Sequence, residues 1–154
     1  MEGGPGVRVP PPLIAAGVWI AGWYLFQWFP FEIDGAGTSW AQAAIGAALA
    51  GAGIALIVRS VRAFRQAGTP LRPDRPAAAL VASGAYRVSR NPIYLGFAAV
   101  YLGLAALLNN AWQVVLLPVL LLILTTAVIH REEAYLSATF SEYEEYCRRV
   151  RRWL

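Results

Sequence analysis

Two short polar stretches in an otherwise apolar sequence carry residue types that could hold and orient a small ligand. The first runs Ser83-Gly84-Ala85-Tyr86-Arg87-Val88-Ser89-Arg90-Asn91-Pro92-Ile93-Tyr94-Leu95-Gly96. Two arginines, two tyrosines, two serines and an Asn-Pro step lead directly into apolar sequence. Asn91-Pro92 reads as a helix start, with Asn91 at the N-cap and Pro92 at the first helical position. A helix beginning there offers free backbone N–H groups and its positive dipole end, which suit a carboxylate or a phosphate. Without a ligand, the same step simply opens a helix.

The second stretch is His130-Arg131-Glu132-Glu133, placed immediately after an uninterrupted apolar run. Carboxylates at such a boundary are costly, and acids there often mark function. On a helix the two glutamates point about 100° apart, so at most one of them is expected to face a shared site. The plain alternative is a solvated helix end. His130 is the only obvious general base, although an interfacial histidine would look the same. Cys147 lies among arginines that could lower its pKa, but a lone cysteine on an apolar helix face also serves packing. No metal site is expected, because one His and one Cys supply no ligand pair at usable spacing. Glycine-rich phosphate fingerprints, a nucleophile elbow and H-E-x-x-H are absent from the sequence.

The elements that must position these residues follow from composition. Of 154 residues, 58% are hydrophobic and 14% charged, with a mean hydropathy of +0.49. A soluble domain carries about 25% charged residues, so most of this chain is expected to face lipid. The expected architecture is all-α and polytopic: four transmembrane helices and a C-terminal amphipathic cytosolic helix, forming one membrane domain over 1–154.

Residues 1–12, rich in Gly and Pro, read as a disordered lead. Spans are expected at 13–31, 40–58, 93–108 and 111–129, each long enough or nearly so for a hydrocarbon core of about 30 Å. A cleaved signal peptide fits the first run poorly, since it is long and lacks a basic n-region. The second span is rich in small residues (Gly46, Ala47, Ala50, Gly51 and Gly53), and pairs four apart, such as Ala47 and Gly51, would let another helix approach closely. Pro118 could kink the fourth.

A cytosolic loop is expected at 59–92 and a cytosolic tail at 130–154. Arg59, Arg62 and Arg65 continue the second helix out of the membrane, and the prolines within Gly68–Pro76 exclude helix there. The loop Arg59–Arg90 holds seven arginines and the tail from Arg131 five, whereas the turns at 32–39 and 109–110 hold none. Arginine asymmetry of this kind puts the loop and both termini in the cytosol. It also explains the net charge of +4 without nucleic acid. In the tail, Leu136, Phe140, Tyr143, Cys147, Val150 and Leu154 recur at helical spacing. Ser141 and Glu144 form a possible capping box, and Glu144–Arg148 and Glu145–Arg149 are i, i+4 pairs.

Taken as an ordered set, three motifs resemble a known family: L-V-A-S-G-A-Y-R-V-S-R-N-P-I-Y-L-G (Leu80 to Gly96), E-E-A-Y-L (Glu132 to Leu136) and the ending Y-E-E-Y-C-R-R-V-R-R-W. The family is the isoprenylcysteine carboxyl methyltransferase and phospholipid methyltransferase superfamily of small integral-membrane enzymes. The resemblance covers Gly68 to Trp153, roughly half the chain. It implies S-adenosylmethionine as cofactor, held between an R-H-P-x-Y element and a downstream E-E pair. Carried over, Arg90, Tyr86, Asn91, Pro92, Ile93 and Tyr94 fall in or beside the first element, and Glu132 and Glu133 are the second. Ala78, Ala79, Leu80 and Val81 correspond to backbone lining the cofactor. Arg90, His130 and Glu132 are the residues expected to carry chemistry.

Two positions depart from the family pattern. Its histidine is Asn91 here, which keeps hydrogen bonding but loses a titratable group. The arginine that serves a carboxylate substrate, one turn before the acidic pair, is Val128. The implied reaction is methyl transfer to a lipophilic or small acceptor at the cytosolic membrane face, with positioning and exclusion of water supplying most of the acceleration. A non-catalytic membrane module of the same fold and a nicotinamide-dependent membrane reductase are the competing readings.

Overall fold

The computed structural model describes residues 4–7, 9–71 and 76–154. Among them are α1 (Pro11–Trp28), α2 (Trp40–Gln66), α3 (Pro92–Leu107), α4 (Ala111–Leu124), α5 (His130–Thr139) and α6 (Tyr143–Arg149), with no named strand. A 3-10 turn at Gly84–Arg87 precedes α3, and a π-helical turn at Thr125–Ile129 joins α4 to α5. The all-helical expectation holds. Positions 72–75 of the proline-rich loop, and 1–3 and 8 of the lead, lie outside the described residues.

Local chemistry sets most helix ends. α1 starts on Pro11 and Pro12, two residues before the expected span, because proline tolerates the first turn. It ends at Trp28, since Phe29 precedes Pro30 and is pushed out of the helical region. Ser39 caps α2 by accepting from the Gln42 N–H at 3.2 Å. That helix runs through Arg59, Arg62 and Arg65 as expected, then stops at Gly68, whose φ of +65° is the left-handed closing conformation.

α2 packs along α3, α3 on α4, and α4 on α1. The α2–α3 seam is built from glycines. A Cβ on Gly53 would lie 2.6 Å from the Gly96 carbonyl oxygen, and one on Gly103 would lie 2.6 Å from that of Gly46. Gly51 meets nothing within 4 Å. The close approach expected at Ala47 and Gly51 is therefore made instead at Gly46 and Gly53.

At the end away from the arginines, the two short turns dock on each other. Asn109 accepts at Oδ1 from the Asp34 N–H (3.0 Å) and the Gln42 amide (2.9 Å). The Ala111 N–H reaches the Phe31 carbonyl at 2.9 Å. Between the ends, Tyr94, Tyr101, Leu120, Leu124, Val128 and Ile129 form the main core, with Trp19 set edge-on to Tyr101 at 5.0 Å.

Among the described residues, two helices are long and apolar enough to cross a membrane: Trp40–Gln66, and the continuous helix Ala111–Thr139 formed by α4, the π turn and α5. α3 is apolar but shorter, with 16 residues.

Two tail expectations change. No Ser141 capping box forms: the N-cap of α6 is Glu142 without a side-chain bond, and the Ser141 hydroxyl meets the Glu142 carboxylate at 3.3 Å. The expected apolar face packs as Tyr143 and Val150 with Leu136, Phe140 and Cys147 against them, but it also takes in Tyr146, and Leu154 is exposed instead of joining it. Of the charge pairs, Arg149–Glu145 closes at 3.6 Å with both side chains largely in solvent, where it contributes little.

Candidate functional site

A cavity of about 570 Å³ lies at the Arg-rich end, within the range of small-molecule sites. Four segments far apart in sequence wall it. The extended Ala79–Val81 stretch and Tyr86 of the 3-10 turn form one side. The first turn of α3 contributes Ile93 and Tyr94, α5 contributes Glu132 and Glu133, and α6 contributes Tyr143 and Tyr146.

The start of α3 is fixed from both directions. Asn91 occupies the N-cap position and Pro92 the first helical one, as expected. The Asn91 amide does not cap its own helix, however. It donates to the Arg152 carbonyl at 3.1 Å, alongside the Ser89 hydroxyl at 3.1 Å. The Arg90 N–H donates to the Arg151 carbonyl at 2.9 Å. The C-terminal tail is thereby bound across the α3 start. Tyr146 strengthens this, its hydroxyl donating to the Tyr86 carbonyl at 2.8 Å.

The two glutamates both reach the cavity and differ sharply in their partners. Glu132 Oε1 accepts from the Tyr94 hydroxyl at 2.8 Å. Glu133 is held by Arg152, through Nη2 at 2.6 Å and Nε at 3.1 Å, and by Arg90 Nη1 at 3.3 Å. The expectation that one glutamate at most faces the site is corrected. A single chamber is wide enough to be flanked by side chains 100° apart. The π turn sets their phase, because its extra residue per turn rotates everything after Ile129. Thr125 and Thr126 hydroxyls donate to the Leu121 and Leu122 carbonyls there, at 2.7 and 2.9 Å.

Electrostatics divides the pair further. Burial pushes the Glu132 carboxyl up to about 7, against the Tyr94 hydrogen bond that lowers it, with the neighbouring Glu133 charge adding to the rise. Burial, followed by the Glu132 charge, keeps the Tyr86 phenol protonated. The Glu133 hydrogen bond holds Arg152 firmly cationic. Arg90 lines the chamber, and its Nε is buried without a hydrogen-bond partner.

Of the expected site residues, the structure gathers Ala79, Leu80, Val81, Tyr86, Arg90, Asn91, Ile93, Tyr94, Glu132 and Glu133 around the cavity. Ala78 is exposed and its N–H is engaged by the Thr69 hydroxyl at 2.8 Å. Pro92 is buried beneath the wall. His130 is exposed and lines a separate open groove with Cys147 and Arg148, on the other side of Arg90 and Glu133. Glu132 lines the chamber and His130 does not.

Sequence reasoning missed several walls. Pro5, Val7 and Pro10–Pro12, expected as part of a disordered lead, line the cavity with Phe64 and Pro70. The Arg131 guanidinium meets the Gly6 carbonyl at 3.3 Å. Helical spacing assigns Arg152 to a solvated face, although its place in a dense arginine run beyond an acidic helix is a usable signal. Among the described residues, no group of three or more His, Cys, Asp or Glu is arranged to hold a metal ion.

The model of the phospholipid methyltransferase family matches residues 41–143, which takes in both glutamates, the Asn91-Pro92 start and the glycine seam. The chain belongs to this family. It is also similar to the cobalt-zinc-cadmium resistance protein CzcN of Cupriavidus metallidurans, 34% identical over 71 residues, 46% of this chain and 33% of that protein. The matched region thus spans about a third of that relative's length. No solved structure matches the chain. Family membership and the two long apolar helices associate the protein with a membrane.

Proposed function

We propose that this member of the phospholipid methyltransferase family is an integral-membrane, S-adenosylmethionine-dependent methyltransferase. Its acceptor is lipophilic or small, and the reaction occurs at the Arg-rich face of the bilayer. The observation that carries this reading is the chamber itself, where Tyr94-bonded Glu132 and the side chain of Arg90 line one cavity. α1 to α4 are four spans in this reading, and the arginine-rich loop and tail face the cytosol.

The residues present fit the cofactor's mixed charge. The Arg90 guanidinium and the positive end of α3 suit its carboxylate. Glu132 suits its ammonium or sulfonium charge or a ribose hydroxyl, and the tyrosine rings suit adenine. S-adenosylmethionine, when bound, supplies a methyl group already activated on a sulfonium centre. The chain's contribution is then orientation and exclusion of water. An amine or thiol acceptor must shed a proton, and Glu132 Oε2, the oxygen not bonded to Tyr94, stands ready to take it near neutral pH. Val128 is fully buried in the apolar core, so no cation at that position receives a carboxylate acceptor. This favours an amine or thiol.

Incubating membranes that contain the protein with methyl-labelled S-adenosylmethionine tests the proposal. Label is expected in the lipid or small-molecule fraction, and lost with Glu132→Ala. Absence of label in all fractions, with no calorimetric binding of the cofactor by purified protein, sinks it.

A further inference from the structure

Glu133 and Arg152 form the tightest charged contact of the chamber, and sequence spacing does not single out this arginine from the others of the tail. Arg152 lies beyond α6 in the final residues, where no helix dictates its direction. Its guanidinium grips both Glu133 oxygens, at 2.6 and 3.1 Å. Its carbonyl accepts from Ser89 and Asn91, and the next residue, Trp153, packs on the main core. The same glutamate lies 3.3 Å from Arg90 Nη1. A two-nitrogen fork on a carboxylate is geometry that arginine provides and lysine does not. Glu133 is therefore already neutralised. Without Arg152, a second largely buried carboxylate would stand beside Glu132, and Arg90 would be drawn towards it.

We propose that Arg152 is a positioning residue for the cofactor chamber. By neutralising Glu133 it leaves Glu132 as the carboxylate available to a cationic ligand group, and it spares Arg90, 3.3 Å from Glu133, from serving as that carboxylate's sole counter-ion. The inference rests on the function proposed above, and it assigns Glu133 a supporting place instead of a ligand contact. Because the Ser89 and Asn91 bonds go to the Arg152 backbone, replacing its side chain tests the charge while leaving those tail contacts in place.

The test is calorimetric binding of S-adenosylmethionine to the full chain in detergent, for wild type, Arg152→Ala, Arg152→Lys, Glu133→Gln and the Arg152→Ala/Glu133→Gln double variant, with unfolding midpoints measured beside it. Arg152→Ala is expected to weaken binding about tenfold, a modest loss for a pair whose arginine is 36% exposed. Arg152→Lys, which keeps the charge without the fork, is expected to fall between Arg152→Ala and wild type. The double variant is expected to bind more tightly than Arg152→Ala, because removing the Glu133 charge removes the need for its partner. Wild-type affinity in Arg152→Ala overturns the proposal, and so does an Arg152→Ala loss that is equally large in the Glu133→Gln background. If Arg152→Ala alone does not fold, recovery of a folded protein on adding Glu133→Gln supports it, and failure to recover overturns it. If wild type itself does not bind the cofactor, the functional reading fails. The positioning role is then decided by whether Glu133→Gln restores the midpoint that Arg152→Ala lowers.

Discussion

The Tyr94 hydroxyl donates to Glu132 Oε1 at 2.8 Å across 38 residues of sequence. That bond joins the first turn of α3 to α5 over the chamber, and it opposes the burial that raises the Glu132 carboxyl. Tyr94→Phe removes it while keeping the ring. A hydrogen bond to a charged partner is worth roughly 1.5–3 kcal/mol, so cofactor affinity should fall about tenfold or more with little change in fold. Calorimetry and circular dichroism on the same sample would check this. Because the lost bond lowers the Glu132 pKa, the pH profile of binding should also move to higher pH.

Glu132 makes stability depend on pH in a known direction. Its carboxyl is raised from an ordinary 4.5 to about 7 in the folded chain, so the folded state binds the proton more tightly than the unfolded one. The associated stability is fully present below about pH 4.5 and is lost as pH rises through about 7. Binding of a cationic ligand should run the other way and strengthen over the same interval, as the carboxylate forms. Unfolding midpoints at several pH values, compared with Glu132→Gln, would show the slope in wild type and its flattening in the variant. Equal slopes would contradict the assignment.

The glycine seam predicts a contrast between neighbouring positions. Gly53→Ala and Gly103→Ala each place a Cβ 2.6 Å from backbone of the facing helix, forcing α2 and α3 apart. Each should cost about 2 kcal/mol or more, in the range of overpacked cores. Gly51→Ala meets open space, and it should be neutral or stabilising by up to about 1 kcal/mol through helix propensity. Detergent unfolding of the three variants decides it.

Tyr146→Phe tests the docking of the tail. Its hydroxyl bond to the Tyr86 carbonyl is buried, and losing it leaves that oxygen without this partner. A stability loss of about 1–3 kcal/mol is expected. Faster alkylation of Cys147, the chain's single cysteine, should accompany it as α6 loosens.

The order of residues alone dictates the helices and one half of the chamber. Long apolar runs bounded by arginine, glycine and proline leave few alternatives to helix. Asn91-Pro92 could only start one, and Glu132 and Glu133 are marked by their cost at an apolar boundary. Packing settles what periodicity cannot carry. In a span that is apolar all round, every face looks alike, so only packing could select Gly46 and Gly53 over Ala47 and Gly51. The π turn shifts helical phase by an amount no count of 3.6 residues includes, and both glutamates reach the chamber that lies beyond it. Arg152 lies past the last helix, where spacing no longer fixes direction. Its bond to Glu133 exists because backbone contacts to Ser89 and Asn91 bring the tail back across the start of α3.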